Sequence, residues 1–540
     1  MISTTPPIAP PSSVSRVEPT ASSASRLARL IATRTISARE VVEAHIQRIE
    51  AVQPWLNAVV VPLFDQARRA ADSADAAIGA GRELGPLHGV PITIKEHMAV
   101  AGTVATLGTV SRRGVRADAD GPLVARLERA GAIVLGKTNV AQLLAYPEAD
   151  NPLYGRTNNP WSRERTPGGS SGGEAAIIAV GGSALGIGTD LGGSIRDPAH
   201  FCGIHGFKPT TGRLSTLDSL YSRLLAGPQA ILPQPGPMAR TVADLSLAMQ
   251  VLAAPGQEQF DTRVAPVAWR DPGDVVIANL RVAVYTDDGC FPVSPAIRRC
   301  VGEAAEALRA RGVRVLPWRP PGVERAMHLF LAILTSDGAD RYRQALADGR
   351  PDRRISLLLR AAGMAGPLRL LATRALCWTG QDRMARVLSS MGPRSAQEYF
   401  ALVQELNEYR SMFTRSLSAG GYDAILCPPC GLPALRHGDS AMSPDFESYA
   451  RLFNVLGWPA GVVAATRVRP DEESERIVGR DPADRCARSV EHGSTGLPVG
   501  VQMASRPFRE DIALALMAAL EAHSPAMTII RSVLLASLYR

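Results

Sequence analysis

Three short stretches hold residue types that can do acyl chemistry. Lys95 closes the apolar run GVPITIK, residues 168–173 read GGSSGG, and GTDLGGSIRDP at 188–198 forms a second glycine turn around Ser194. In that second turn the N–H groups of Leu191, Gly192, Gly193 and Ser194 can curl into an anion-binding nest with the Ser194 hydroxyl at its rim. A nucleophile beside an oxyanion site suits acyl transfer, and it needs a base. The nine histidines show no obvious Ser-His-Asp order. Of the 59 basic residues only Lys95, Lys137 and Lys208 are lysines. Arginine stays protonated, whereas a buried lysine can become a neutral amine. Lys95 and Ser194 therefore pair as base and nucleophile, with one serine of GGSSGG relaying the proton. Asp190 and Arg196 flank the nest and read as an ion pair that holds the loop. Lys137 and Lys208 read as structural cations bonded to backbone carbonyls.

Other readings of the same residues are weaker. GGSSGG could cradle a phosphate, but it lacks both nucleotide-binding glycine spacings. GSSGG also fits the nucleophile-elbow pattern, yet it follows the polar turn RERTPG instead of an apolar strand. Cys427-Pro-Pro-Cys430 has no second pair, so it reads as a strand end in the core; neither a metal nor an organic cofactor is expected. The sequence pI of 9.3 comes from basic residues spread along the chain with few aromatics between them, so no nucleic-acid partner is expected.

These residues need a frame to position them. The 540 residues, 46% hydrophobic and 20% charged, can bury a large core as one globular unit. Ser37 and Glu40 form a capping box before the amphipathic VVEAHIQRIE. GVPITI reads as a strand, and helix-to-strand alternation recurs in LVARLERAGAIVLGKTN and AIRRCVGEAAEALRARGVRVLPW, predicting an α/β sheet with helices on its faces. Residues 1–23, rich in Ser, Thr, Pro and Ala, read as a disordered leader without a secretory apolar core. Seven cysteines, an odd number, suggest a reducing cytoplasm. Residues 470–494 lack an apolar period and read as a surface loop insertion. Residues 353–391 hold seven arginines against one acid and suggest two short amphipathic helices broken near Gly366-Pro367.

Taken together, GVPITIKE, GGSSGG and GTDLGGSIRDPAHFCGIHGFKPT resemble the amidase signature family of serine hydrolases, and GYDAILCPP, FNVLGWPAGVV and GLPVGVQMASRPFREDIAL match its closing strands. The resemblance spans roughly residues 24 to 525. It implies a single large catalytic domain over 24–530, with a central mixed twisted β-sheet covered by helices on both faces. It assigns Lys95 as general base, Ser170 as a cis-serine, Ser194 as nucleophile, Leu191 to Ser194 as oxyanion hole and Ser171 as a supporting hydrogen bonder. NPLYGRTNNPW, LRVAVYTDDG and VLGWPAGVV are most similar to the fatty acid amide hydrolase branch. By position Leu144 and Tyr146 would then line an acyl channel, Tyr146 standing where a small hydroxyl residue is expected.

The implied activity is hydrolysis of carboxylic or fatty acyl amides, and of esters, through an acyl-enzyme. The alternatives are a catalytically silent scaffold and an amidotransferase-type glutamine amidase subunit. The expected partner is a small-molecule amide. The 353–391 segment would either place a cytoplasmic enzyme peripherally on a membrane surface, pack on the body, or bury its apolar face in a homodimer.

Overall fold

Short apolar runs bounded by glycine and proline form the strands, and longer amphipathic runs form the helices between them. The computed structural model describes residues 18–217, 230–442, 445–473, 476 and 478–523. Eleven strands build one sheet: β1 Val59–Pro62, β2 Pro91–Lys95, β3 Ile133–Thr138, β4 Leu185–Asp190, β5 His205–Lys208, β6 Gln234–Ala239, β7 Arg281–Val284, β8 Arg314–Pro317, β9 Ala424–Cys427, β10 Ala460–Arg467 and β11 Pro498–Ser505, in the order β1-β3-β2-β4-β6-β5-β10-β11-β9-β7-β8. The sheet is mixed. β3, β2 and β4 run parallel, as do β9, β7 and β8, while the strands between these groups pair antiparallel. Helices flank both faces, which leaves β2, β3 and β4 buried along their whole length.

The helices that matter below are α1 Ala38–Leu56, α2 Pro122–Arg129, α3 Gly172–Ala179, α4 Arg196–Cys202, α5 Pro295–Arg309, α6 Arg353–Ala362, α7 Gly366–Trp378, α8 Asp382–Ser390, α9 Ser448–Leu456 and α10 Pro482–Glu491. α1 begins at the expected capping box: Glu40 N donates to Ser37 Oγ at 3.1 Å and Ser37 N donates to Glu40 Oε2 at 2.9 Å. The expected alternation is present as α2 leading into β3 and α5 into β8. Lys95, Thr138 and Asp190 are the last residues of β2, β3 and β4, so the candidate chemistry sits at the carboxyl ends of three adjacent parallel strands. Open α/β sheets bind their ligands at that edge.

Three local expectations are corrected. Residues 18–23 do not read as a disordered leader: Thr20 and Ser22 are buried, and Arg240 Nη2 donates to the Ser22 carbonyl at 2.7 Å, tying this stretch to the body. Residues 1–17 and 524–530 lie outside the described residues. Within 470–494, residues Pro482–Glu491 form α10 where a loop is expected; Asp481 caps it, accepting from Ala483 N at 2.9 Å, and Ala483, Ala487 and Val490 face inward. Its apolar period is carried mostly by alanines, whose small side chains hardly register as a hydrophobic stripe. Residues 353–391 form three helices, not two. The first break precedes Pro367, and the second falls at Gly380, whose φ of +74° ends α7.

Candidate active site

Lys95 ends β2 with its side chain fully buried. Its Nζ lies 2.8 Å from Ser170 Oγ, 3.1 Å from the Thr189 carbonyl and 3.0 Å from Thr189 Oγ1. Burial drives the Lys95 amine down to about 7, the carboxyls of Asp190 and Glu174 pulling the other way. A neutral amine has two N–H donors and one lone pair. When the amine is neutral, the two acceptors of Thr189 can take both donors and leave the lone pair for the Ser170 hydroxyl.

The Gly169–Ser170 peptide bond is cis, and Ser170 is buried next to the N-terminus of α3. The serine pair and the nest meet through the backbone: Ser171 N donates to the Ser194 carbonyl at 3.2 Å. Ser171 Oγ donates to the Thr189 carbonyl at 3.3 Å, so it braces the same residue that holds Lys95. Gly193, at φ +126°, is needed in the turn that follows, because a Cβ there would stand 2.3 Å from Asp197 Oδ2.

Asp190 and Arg196 are the expected pair, both fully buried. Arg196 Nη2 is 2.9 Å from Asp190 Oδ1 and Nε is 3.0 Å from Oδ2. Arg196 also donates to Gln502 Oε1 and the Ala450 carbonyl at 2.7 Å and to Asn454 Oδ1 at 2.6 Å. Burial alone would raise Asp190, but the Arg196 guanidinium holds its carboxyl far below the usual range. Asp190 also accepts from Gly193 N at 2.9 Å and Ile195 N at 3.1 Å. The expected four-amide nest is corrected accordingly: the Gly193 amide is committed to Asp190. Among the described residues, the N–H groups of Leu191, Gly192 and Ser194 meet no protein acceptor.

Ser194, Leu191 and Gly192 open onto a cavity of about 280 Å³ lined by Leu144, Tyr146, Phe330, Leu334, Tyr342, Leu358 and Met391, with Arg354, Glu447 and Arg451 among its polar groups. Leu144 and Tyr146 thus share one cavity with Ser194. Leu143 and Leu144 adopt φ of +53° and +55°, a conformation costly for such side chains and frequent where a loop is fixed around a ligand. Tyr146 is pinned: its hydroxyl donates to the Asp150 carbonyl at 2.6 Å and accepts from Gln142 N at 3.0 Å.

The remaining candidates stand apart from this cavity. Lys208 Nζ donates to the carbonyls of Pro209 and Trp458, and Lys137 Nζ donates to the Val104 carbonyl and Thr103 Oγ1. Cys427 ends β9 and is buried together with Cys430. Thr189, Glu174 and Arg354 are site residues that the motifs did not single out. Thr189 and Glu174 each had a positional signal, Thr189 standing directly before Asp190 in GTDLGGS and Glu174 directly after GGSSGG, whereas Arg354 had none.

The amidase family model matches residues 40–514. Fatty-acid amide hydrolase 1 of Sus scrofa is 34% identical over 505 residues, covering 92% of this chain and 84% of that protein. Indoleacetamide hydrolase of Bradyrhizobium diazoefficiens is 31% identical over 503 residues, covering 92% of this chain and 85% of its own length. A solved structure of fatty acid amide hydrolase superposes with a TM-score of 0.82 at 27% identity, covering 93% of this chain and 85% of that one.

Proposed function

From the premise that this chain belongs to the amidase family, as an amide hydrolase similar to fatty acid amide hydrolases, we propose that it cleaves carboxylic and fatty acyl amides, and esters, through a Ser194 acyl-enzyme with Ser170 and Lys95 as its proton relay. One observation carries the reading: Lys95 Nζ, buried and driven toward neutrality, lies 2.8 Å from Ser170 Oγ while Thr189 occupies its other two directions.

Neutral Lys95 accepts the Ser170 proton, Ser170 accepts that of Ser194, and Ser194 Oγ adds to the substrate carbonyl carbon. Negative charge collects on the former carbonyl oxygen, which the amides of Leu191, Gly192 and Ser194 would bind. As the C–N bond breaks, Ser170 returns a proton to the departing nitrogen and is resupplied by Lys95. Without that proton the leaving group would be an amine anion. Water then adds to the acyl ester, its proton taking the same route, and the carboxylic acid leaves as Ser194 regains its hydrogen.

The apolar side chains around the cavity suit an acyl chain better than the polar head of glutamine, which favours the amide hydrolase over the amidotransferase-type reading. Turnover of short-chain, aryl and long-chain amides and esters by the wild type and by Lys95→Ala tests the proposal. Selective turnover of glutamine would replace it with the alternative, and no turnover of any of them would leave the silent scaffold.

We also infer that α6 and α7 rest on a lipid surface. α7 has no buried residue, and Leu368, Leu370, Leu371 and Trp378 are exposed on it. The cavity residues Leu357 and Leu358 lie on α6, so an acyl chain could pass from lipid to Ser194 along this segment.

A further inference from the structure

Glu174 takes no part in the proton route above, yet its carboxyl is fully buried beside it. It stands in the first turn of α3, four residues after Ser170. Thr93 Oγ1 donates to its Oε2 at 2.6 Å and Thr138 Oγ1 donates to its Oε1 at 2.8 Å. Thr93 precedes Lys95 by two residues on β2 and so shares its face, and Thr138 is the residue of β3 paired with Lys95. One carboxyl therefore touches the strand that carries the amine and the strand paired with it.

The third strand is cut away to admit it. Gly186 of β4, the partner of Thr93, would place a Cβ 2.0 Å from Glu174 Oε2, and Gly188, two residues on, would place one 2.8 Å from Ser171 Oγ. The alternating glycines of LGIGTD thus make room on one face for the carboxyl and for the serine beside Ser170. A buried carboxyl is costly unless its oxygens are hydrogen-bonded, and a core that needed only volume would use an apolar side chain here.

We propose that Glu174 is a positioning residue that sets the distance between Ser170 Oγ and Lys95 Nζ by fastening the helix after Ser170 to the two strands around Lys95. The proposal rests on the reading of Lys95 as base and Ser170 as relay. Its effect is on proton transfer, because Glu174 does not line the substrate cavity.

The test compares Glu174→Ala, Glu174→Gln and Thr93→Val in the full chain, using a short soluble p-nitroanilide and reading kcat, KM and melting temperature. Loosening the pair is expected to lower kcat of Glu174→Ala by about ten- to a hundredfold with KM nearly unchanged. Glu174→Gln can accept from one threonine and donate to the other, so it should recover most of that loss. Thr93→Val removes one fastening without emptying the site and should lower kcat by a smaller factor, which keeps the test decisive if the alanine variant does not fold. Wild-type kcat in both Glu174→Ala and Thr93→Val, or a glutamine variant no better than alanine, overturns the proposal. Lys95→Ala and Ser170→Ala run alongside. If both keep full turnover, the parent reading falls; if they are inactive while the Glu174 and Thr93 variants are normal, the parent reading stands and this inference falls.

Discussion

The Arg354 guanidinium lies over the Tyr146 ring, 4.1 Å from its centre, and forms ion pairs with Glu148 at 3.0 Å, Asp150 at 2.8 Å and Asp352 at 2.7 Å. Arg354 belongs to α6, Tyr146 to the cavity wall, and the backbone of Glu148 packs against Gly169, which precedes Ser170. The helix that faces outward is thereby clamped to the loop beside the candidate relay serine.

That clamp sets an expectation for acyl length. Tyr146 fills space where a serine would leave an opening, so Tyr146→Ser should extend the cavity. Each further methylene then buried is worth about 0.8 kcal/mol, or roughly a fourfold gain in kcat/KM per carbon until the new space is full. Measuring kcat/KM over a homologous series of linear amides checks this. A variant whose length profile matches the wild type would show that Tyr146 does not bound the channel.

As the proposed base, Lys95 should give the reaction its pH dependence. The amine must be neutral to accept a proton, and its burial brings it to about 7. kcat/KM for a neutral amide should therefore be flat above that pH and fall as pH drops through it, by about tenfold per unit in the acid limit. Lys95→Arg should be inactive throughout, since a permanent cation cannot take the Ser170 proton. A wild-type profile that stays flat to about pH 5, or a working arginine variant, would remove Lys95 as the base.

The two serines should separate under a fluorophosphonate probe. Ser194→Ala lacks the attacking oxygen and should not label at all. Ser170→Ala keeps that oxygen but cuts its route to Lys95, so labelling should slow without vanishing. The reverse pattern would exchange the two roles.

Lys95, the two glycine turns and the Asp190–Arg196 pair were legible in the sequence because each is contiguous or rare: a lysine in a chain with three, a charge pair six residues apart. Contacts made across the sheet were not. Thr189 reaches Lys95 only because β4 lies beside β2, and Glu174 meets Thr93 and Thr138 only once three strands are in register. Arg354 is 208 positions from Tyr146 in a chain rich in arginine, so nothing in its composition marks it. The Asp190 side chain also took an amide that the glycine pattern had given to the nest, a choice made by side-chain geometry within the turn.

The last expectation concerns the outer helices. Trp378 is 88% exposed, and Leu368, Leu370 and Leu371 are each more than half exposed. Apolar patches of this kind mark interaction surfaces. Among the described residues no single helix is long and apolar enough to cross a membrane, and α6 and α7 are bent by 114° at their junction, which suits lying in an interface. The exposed Arg353, Arg360 and Arg374 of the same segment would add about 1 kcal/mol each toward anionic lipid, a contribution that salt screens. The protein should cosediment with anionic liposomes at low salt and release as salt rises. Replacing Leu370, Leu371 and Trp378 with serine should weaken that binding while hydrolysis of a small soluble amide persists, because none of the three lines the cavity at Ser194. Absence of cosedimentation at low salt would reject the lipid surface, and a concentration-dependent mass abolished by the same substitutions would assign the face to a second copy of the chain.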